Sequence, residues 1–236
     1  MLKKRNHIKS TLIHKVFTTL LKAYGPQGWW PFINYEGYYH PNNYQFPRNT
    51  LECFEVCLGS ILTQNTTFTS VVKSLNNLNE QDALSAEKIK TMDLEVFKEC
   101  IKPSGYYNQK ADYILEFISF FEALEDSIPS RDALLKVRGI GEETADSILL
   151  FAYNQPEFKI DAYTKRVLID LGLVDENVKY QQMKALMQEE LQGHYKSTQE
   201  QVILYQEYHA LLVAHAKQFY SKKPYGKGSF LRELKP

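Results

Sequence analysis

The chain has 236 residues with 28 Lys and Arg against 28 Asp and Glu, so its net charge is zero and a uniformly basic nucleic-acid coat is excluded. That length buries a substantial core as one large or two small domains. There is no apolar run long enough to span a bilayer, the basic N-terminus lacks a signal-peptide pattern, and three cysteines fit reduced, buried thiols. These features predict an intracellular, cytoplasmic protein. The charge is unevenly spread. Residues 1 to 22 hold six basic residues and no acid, residues 217 to 236 hold six against Glu233, and the middle is net acidic by eleven. Basic termini suit either solubilising tails or one wall of a DNA groove.

In chain order, Leu12, Ile13, Val16, Phe17, Leu20 and Leu21 follow the helical period from Ser10 until Gly25-Pro26 stops it. Between Trp29 and Phe46 a loop carries Trp29, Trp30, Pro31, Phe32, Tyr35, Tyr38, Tyr39, Tyr44 and Phe46. Long irregular loops are uncommon in compact domains and tend to be functional, although such rings also serve simply to cover a core. Thr50 to Asn65 reads as a helix with Leu51, Phe54, Leu58, Ile61 and Leu62 on one face, followed by a helix bearing Val71, Val72, Leu75 and Leu78. Cys53 and Cys57 share a face of the first. Short helices fit residues 85 to 91 and 93 to 101, and a longer one fits Tyr106 to about Glu125. Further on, helices are predicted after residue 161, near 180 to 192, and from Ser197, whose buried face is Leu204, Tyr208, Leu211, Leu212, His215 and Phe219. The tail with Pro224, Gly226 and Gly228 reads as loop. No stretch reads as a strand pair, so the fold class is all-α, with about ten helices.

The chemistry concentrates between residues 130 and 167. Ser130 caps a short helix, Gly139 and Gly141 in Arg138-Gly139-Ile140-Gly141 permit a hairpin, and a second helix begins near Glu142. The head of that second helix, stripped of side chains by glycine, is suited to a phosphate. Asp161 then ends an apolar approach through Phe158 and Ile160 and caps the next helix, where the dipole and N–H groups keep a carboxylate ionised.

Hairpin, second helix and helix-capping Asp, in that order, resemble the helix-hairpin-helix DNA glycosylases of the endonuclease III superfamily. Gly105-Tyr106-Tyr107-Asn108-Gln109-Lys110-Ala111 is similar to their Gly-x-Tyr-Asn-x-Lys-Ala segment, and Ile61-Leu62-Thr63-Gln64-Asn65-Thr66-Thr67 to the loop that carries their Gln wedge. The likeness runs in order over roughly residues 46 to 220. It implies a two-lobed fold with the active site in a cleft between lobes: a central barrel over 46–157 holding the hairpin unit (130–153), and a second lobe from 1–45 and 158–236. It implies Asp161 as the catalytic residue, Gln64, Arg138, Gly139, Ile140, Gly141 and Thr144 as DNA contacts, and a monomer acting on double-stranded DNA.

Two departures from the family pattern narrow the expectation. Bifunctional members attack the sugar with a Lys where this chain has Glu143, and a carboxylate forms no imine, so a monofunctional enzyme is implied that uses water and leaves an abasic site. Many relatives hold an iron–sulfur cluster on four Cys after the last long helix, whereas residues 216 to 228 contain none, so neither cluster, metal nor other cofactor is expected. Lys217 there is either a solvated stem or a buried structural lysine that helps order the tail. With the Trp-Trp-Pro loop these departures resemble the endonuclease III-like 3-methyladenine DNA glycosylases. The implied substrate is an alkylated purine, chiefly 3-methyladenine, whose positive charge makes it a good leaving group and a partner for the rings of Trp29, Trp30, Pro31 and Phe46. Asp161 would stabilise charge on the sugar or deprotonate the attacking water. A glycosylase for mismatched or oxidised bases, or a non-catalytic helix-hairpin-helix module, are the alternatives.

Overall fold

The computed structural model describes residues 2–33 and 39–235, with side chains from residue 12 onward. Tyr35 and Tyr38 of the aromatic loop lie outside the described residues. Among the described residues all regular structure is helical, as the periodicities require: α1 (Leu2–Tyr24), α2 (Thr50–Leu62), α3 (Phe68–Glu80), α4 (Ala86–Thr91), α5 (Leu94–Ile101), α6 (Tyr107–Ala123), α7 (Arg131–Lys136), α8 (Glu142–Phe151), α9 (Ala162–Asp170), α10 (Tyr180–Leu191) and α11 (Thr198–Phe219). Helix starts fall where the caps place them. Asn49, Thr67, Ser85, Asp93, Ser130, Asp161 and Ser197 each accept a first-turn N–H through the side chain. Helix α1 begins eight residues before the expected Ser10. A short 3-10 helix, Phe230–Leu234, occupies the tail expected to be loop.

The chain forms two compact units, residues 1–29 with 156–236, and residues 30–155. In the second unit, α2 is sheathed by α3, α6 and α8, and Phe54, Leu58, Ile61 and Leu62 are buried with Val71, Leu75, Phe117, Ile118 and Ile148. Leu51, expected on the buried face, is 61% exposed because it lies in the first turn of α2, ahead of the buried run that starts at Phe54. Cys53, Cys57 and Cys100 are free thiols. The buried ammonium of Lys110 donates to the carbonyls of Leu62 and Ser104, both at 2.7 Å, and so ties the end of α2 to the Gly105 loop. That burial lowers the lysine to about 8.

The first unit is built around α11, which packs against α1 and α9. This helix is buried on nearly every side, not on one face: Tyr205, Gln206, Glu207 and His209 are enclosed along with the expected apolar residues, while Phe219 is half-buried. The Tyr208 hydroxyl donates to the Ile13 carbonyl at 2.8 Å, and Phe17 packs on the same ring. Lys217 is exposed, which excludes it as a buried structural lysine. The tail is ordered instead by Asp170 at the end of α9. Its carboxylate receives Arg232 through Nη2 at 2.7 Å and Nε at 3.0 Å, the Tyr220 hydroxyl at 2.8 Å, and Lys235 at 3.2 Å. Behind it, His215 bonds Ser229 (2.8 Å) and Tyr24 (2.9 Å), and Arg166 donates to the Tyr220 carbonyl (2.9 Å).

Candidate DNA-binding hairpin and active-site carboxylate

In the second unit the hairpin joins α7 to α8. Lys136 ends α7, the Ile140 N–H returns to the Val137 carbonyl at 3.1 Å, and Gly139 takes φ +85°. Only glycine fits there, because a Cβ would stand 2.3 Å from the ring of Tyr113. Gly141 is the N-cap of α8 and supplies no side-chain cap, and the space around it is open. The two helices are locked by Arg131, whose Nε donates to the fully buried Asp146 at 2.7 Å. Arg138 is exposed, its guanidinium 5.6 Å from the Tyr113 ring centre. Glu143 lies exposed in the first turn of α8.

The other expected DNA contacts divide differently. Gln64 Nε2 donates to the Gly139 carbonyl at 2.8 Å and to the Thr144 hydroxyl at 3.1 Å, which ties the expected wedge residue to the hairpin. Thr144 and Ile140 are buried, and their side chains belong to the hairpin's interior. Tyr106, quoted in the sequence motif but not among the expected contacts, is 68% exposed at φ +49°.

The described aromatic residues expected to line the base pocket are buried or half-buried. Trp30 is buried with its indole on Gly59 of α2, where a Cβ would approach Cζ2 to 2.7 Å, and against Phe68 and Phe151. Pro31 is buried beside it. Phe46 is stacked by His40 at 4.2 Å, with the Arg48 guanidinium 4.6 Å from its centre. His40, overlooked in the sequence, has one ring nitrogen 2.8 Å from the Trp30 carbonyl and the other 2.7 Å from that of Asn43. The buried carboxyl of Glu55 on α2 accepts the Ile33 N–H at 2.7 Å.

In the first unit, Asp161 caps α9, its Oδ1 accepting the Thr164 N–H at 2.7 Å. The approach is held by Phe158, edge-on to Tyr205 and Tyr208, and by the Ile160 N–H, 3.3 Å from the Tyr180 hydroxyl. Burial by itself raises the Asp161 carboxyl, yet His209, Lys159 and Thr164 outweigh it and leave the group below the ordinary carboxylate range. His209 is pushed to about 3, first by burial and then by Lys159. Trp29 is half-buried with its ring 5.9 Å from that of His209. Glu207 fixes the turn before it by accepting the N–H groups of Gln27 (2.8 Å) and Gly28 (3.1 Å). Lys159, Glu207 and His209 escaped the sequence reading. The one signal was a lysine placed between Phe158 and Ile160, in an otherwise apolar approach.

The chain matches the model of the HhH-GPD superfamily base excision DNA repair proteins over residues 58–192. A protein of Methanocaldococcus jannaschii, MJ1434, provisionally named a DNA repair glycosylase, is 36% identical over 226 residues, 91% of each chain. Endonuclease III of Sulfolobus acidocaldarius is 31% identical over 182 residues, covering 74% of this chain and 78% of its own. Among solved structures, the 3-methyladenine DNA glycosylase MagIII of H. pylori, bound to 1,N6-ethenoadenine, superposes with a TM-score of 0.69 at 29% identity, over 89% of this chain and 97% of that one. A non-covalent endonuclease III–DNA complex gives 0.71 at 18% identity over 95% and 94%, a likeness of fold alone. With its glycine hairpin and the capping Asp161, the chain belongs to the HhH-GPD superfamily and is a DNA glycosylase of base excision repair.

Proposed function

We propose that this glycosylase is monofunctional and hydrolyses the N-glycosidic bond of alkylated purines, chiefly 3-methyladenine, leaving an abasic site. The observation that carries the reading is Asp161: a carboxylate held anionic at the head of α9, with half-buried Trp29 in the same unit and Glu143 in the first turn of α8, where the family resemblance puts the lysine of bifunctional members. As the bond breaks, its electron pair leaves with the base, so a cationic purine departs neutral and positive charge appears on the sugar. A fixed carboxylate stabilises that charge, and water completes the reaction at C1′. The likeness to MagIII supports the substrate class.

Arg138 and the open N-terminus of α8 at Gly141 hold a backbone phosphate, and Tyr106 offers a ring for stacking on bases. Trp29 stacks on the extruded base, whereas Trp30, Pro31 and Phe46 give the loop its rigid backing. The test is chromatography of bases released from methylated duplex DNA, with strand nicking read from the same sample. Release of 3-methyladenine without nicking is expected, and Asp161→Asn should keep DNA binding while slowing release by ~10²-fold or more. Nicking, or equal release of neutral lesions, refutes the proposal.

A further inference from the structure

The three free thiols of this chain stand in different surroundings. Cys100 is 7% exposed and its Sγ donates to the Asn77 carbonyl at 3.8 Å, and Cys57 on α2 is fully enclosed. Cys53 is half-buried and lines a cavity of about 290 Å³ between the start of α2 and the C-terminal ends of α6 and α8. Phe121 and Tyr153 line it too, as do Arg48, Thr50 and Asp126, which are exposed and open it to solvent. The Thr50 hydroxyl donates to Asp126 at 2.9 Å and fixes that edge. Cys53 and Cys57 lie one turn apart on α2, a spacing that keeps Cβ atoms ~5–6 Å apart, whereas a disulfide requires about 4 Å. The pair therefore does not close on itself, and Cys57 serves Cys53 as a hydrogen-bond donor. That bond lowers the Cys53 thiol below its ordinary 9.0, against burial, which raises it; Tyr153 lowers it further and Asp126 opposes. Burial raises Cys57 and Tyr153, so both keep their protons and remain donors.

We infer that Cys53 is a site of reversible S-thiolation, at which its thiolate attacks a low-molecular-weight disulfide that enters the cavity. A bond forms between Cys53 Sγ and one sulfur of the disulfide, and the original sulfur–sulfur bond breaks. The other sulfur leaves with the electron pair as a thiolate and takes up a proton from water, replacing the one that Cys53 released. Cys53 is thereby oxidised and the departing thiol reduced, with no further oxidant. Because the spacing of α2 keeps Cys57 from closing a bond to Cys53, the adduct is not resolved within the chain and persists until an external thiol reverses the exchange.

The experiment treats the unaltered chain at neutral pH with oxidised glutathione and maps the adduct by peptide mass spectrometry. Cys53 should carry it, dithiothreitol should remove it, and Cys57 and Cys100 should remain unmodified. Iodoacetamide alkylation of the same native protein, followed over pH, should give Cys53 a midpoint below the ~8.5 of an ordinary cysteine. Tyr153→Phe keeps the ring and removes a donor, so it should raise that midpoint and slow adduct formation several-fold at neutral pH. Cys53→Ser should abolish the adduct. Preferential modification of Cys100, recovery of a Cys53–Cys57 disulfide, or a Cys53 that reacts only once the protein is unfolded in urea would each overturn the inference.

Discussion

Replacing Glu55 by Gln should stabilise the protein at alkaline pH and leave it nearly unchanged in acid. Glu55 is 2% exposed on α2, one turn before the glycine that carries Trp30, and accepts the Ile33 N–H at 2.7 Å. Burial raises its carboxyl, the Ile33 N–H opposes this, and Glu52 adds to it, taking the group from an ordinary 4.5 to about 7. The folded chain thus keeps this proton up to about 7, whereas the unfolded chain releases it near 4.5. Between those values the folded state binds more protons, so the contribution of Glu55 is fully present below 4.5 and is lost as pH rises through about 7. At ~1.4 kcal/mol per pH unit the loss is about 3 kcal/mol. Glutamine keeps an acceptor for Ile33 and has no proton to lose. Urea unfolding at several pH values should give coincident stabilities for the two proteins near pH ~4, with the variant more stable by about 3 kcal/mol near pH ~8. Parallel stability profiles, or a variant weaker at every pH, would refute the assignment of Glu55 as a protonated buried acid.

Other substitutions test the hairpin and the tail. Gly139→Ala forces a Cβ into the Tyr113 ring at φ +85° and should cost ~1–3 kcal/mol together with DNA affinity; unchanged stability would show that the hairpin tolerates another geometry. Gly141→Ala, at φ −92° with open space around it, should keep the fold, and any affinity it loses in a binding titration reports the phosphate site at the head of α8. Asp170→Asn removes the charge that gathers Arg232, Tyr220 and Lys235, and should cost ~1–3 kcal/mol and open residues 221–236 to limited proteolysis; a tail that stays resistant would show that other contacts suffice. Burial raises the Asp170 carboxyl but Arg232, Tyr220 and Lys235 bring it below its ordinary 3.8. Its stabilisation is therefore present above about that value and lost as pH falls through the lower folded value, which the same proteolysis assay run in acid will detect.

Much of this protein is legible in its sequence because the features concerned are local. The caps at Ser130, Asp161 and Ser197 act on N–H groups three residues away, and the backbone of the hairpin is dictated by Gly139. Helical periodicity likewise sets which residues of α2 and α3 face the core, with an error at Leu51 where the helix begins outside that core. These signals depend on i to i+4 geometry, which sequence spacing states directly.

The electrostatics of the site and the order of the tail depend on packing between distant residues. Asp161 acquires its neighbour His209 from α11, Glu207 reaches back to Gln27 and Gly28, and Asp170 meets Arg232 across 62 positions. Spacing does not encode such pairs, because burial, which makes a charge pair strong, exists only once the helices have packed. For the same reason Lys217 could be read as buried or solvated from the sequence, and only the packed α11 sets it in solvent while enclosing His209 and His215. Sequence alone determined the helices, the hairpin and the position of the candidate catalytic carboxylate. Tertiary packing decided which charges surround that carboxylate, since desolvation belongs to the folded whole and to no single segment.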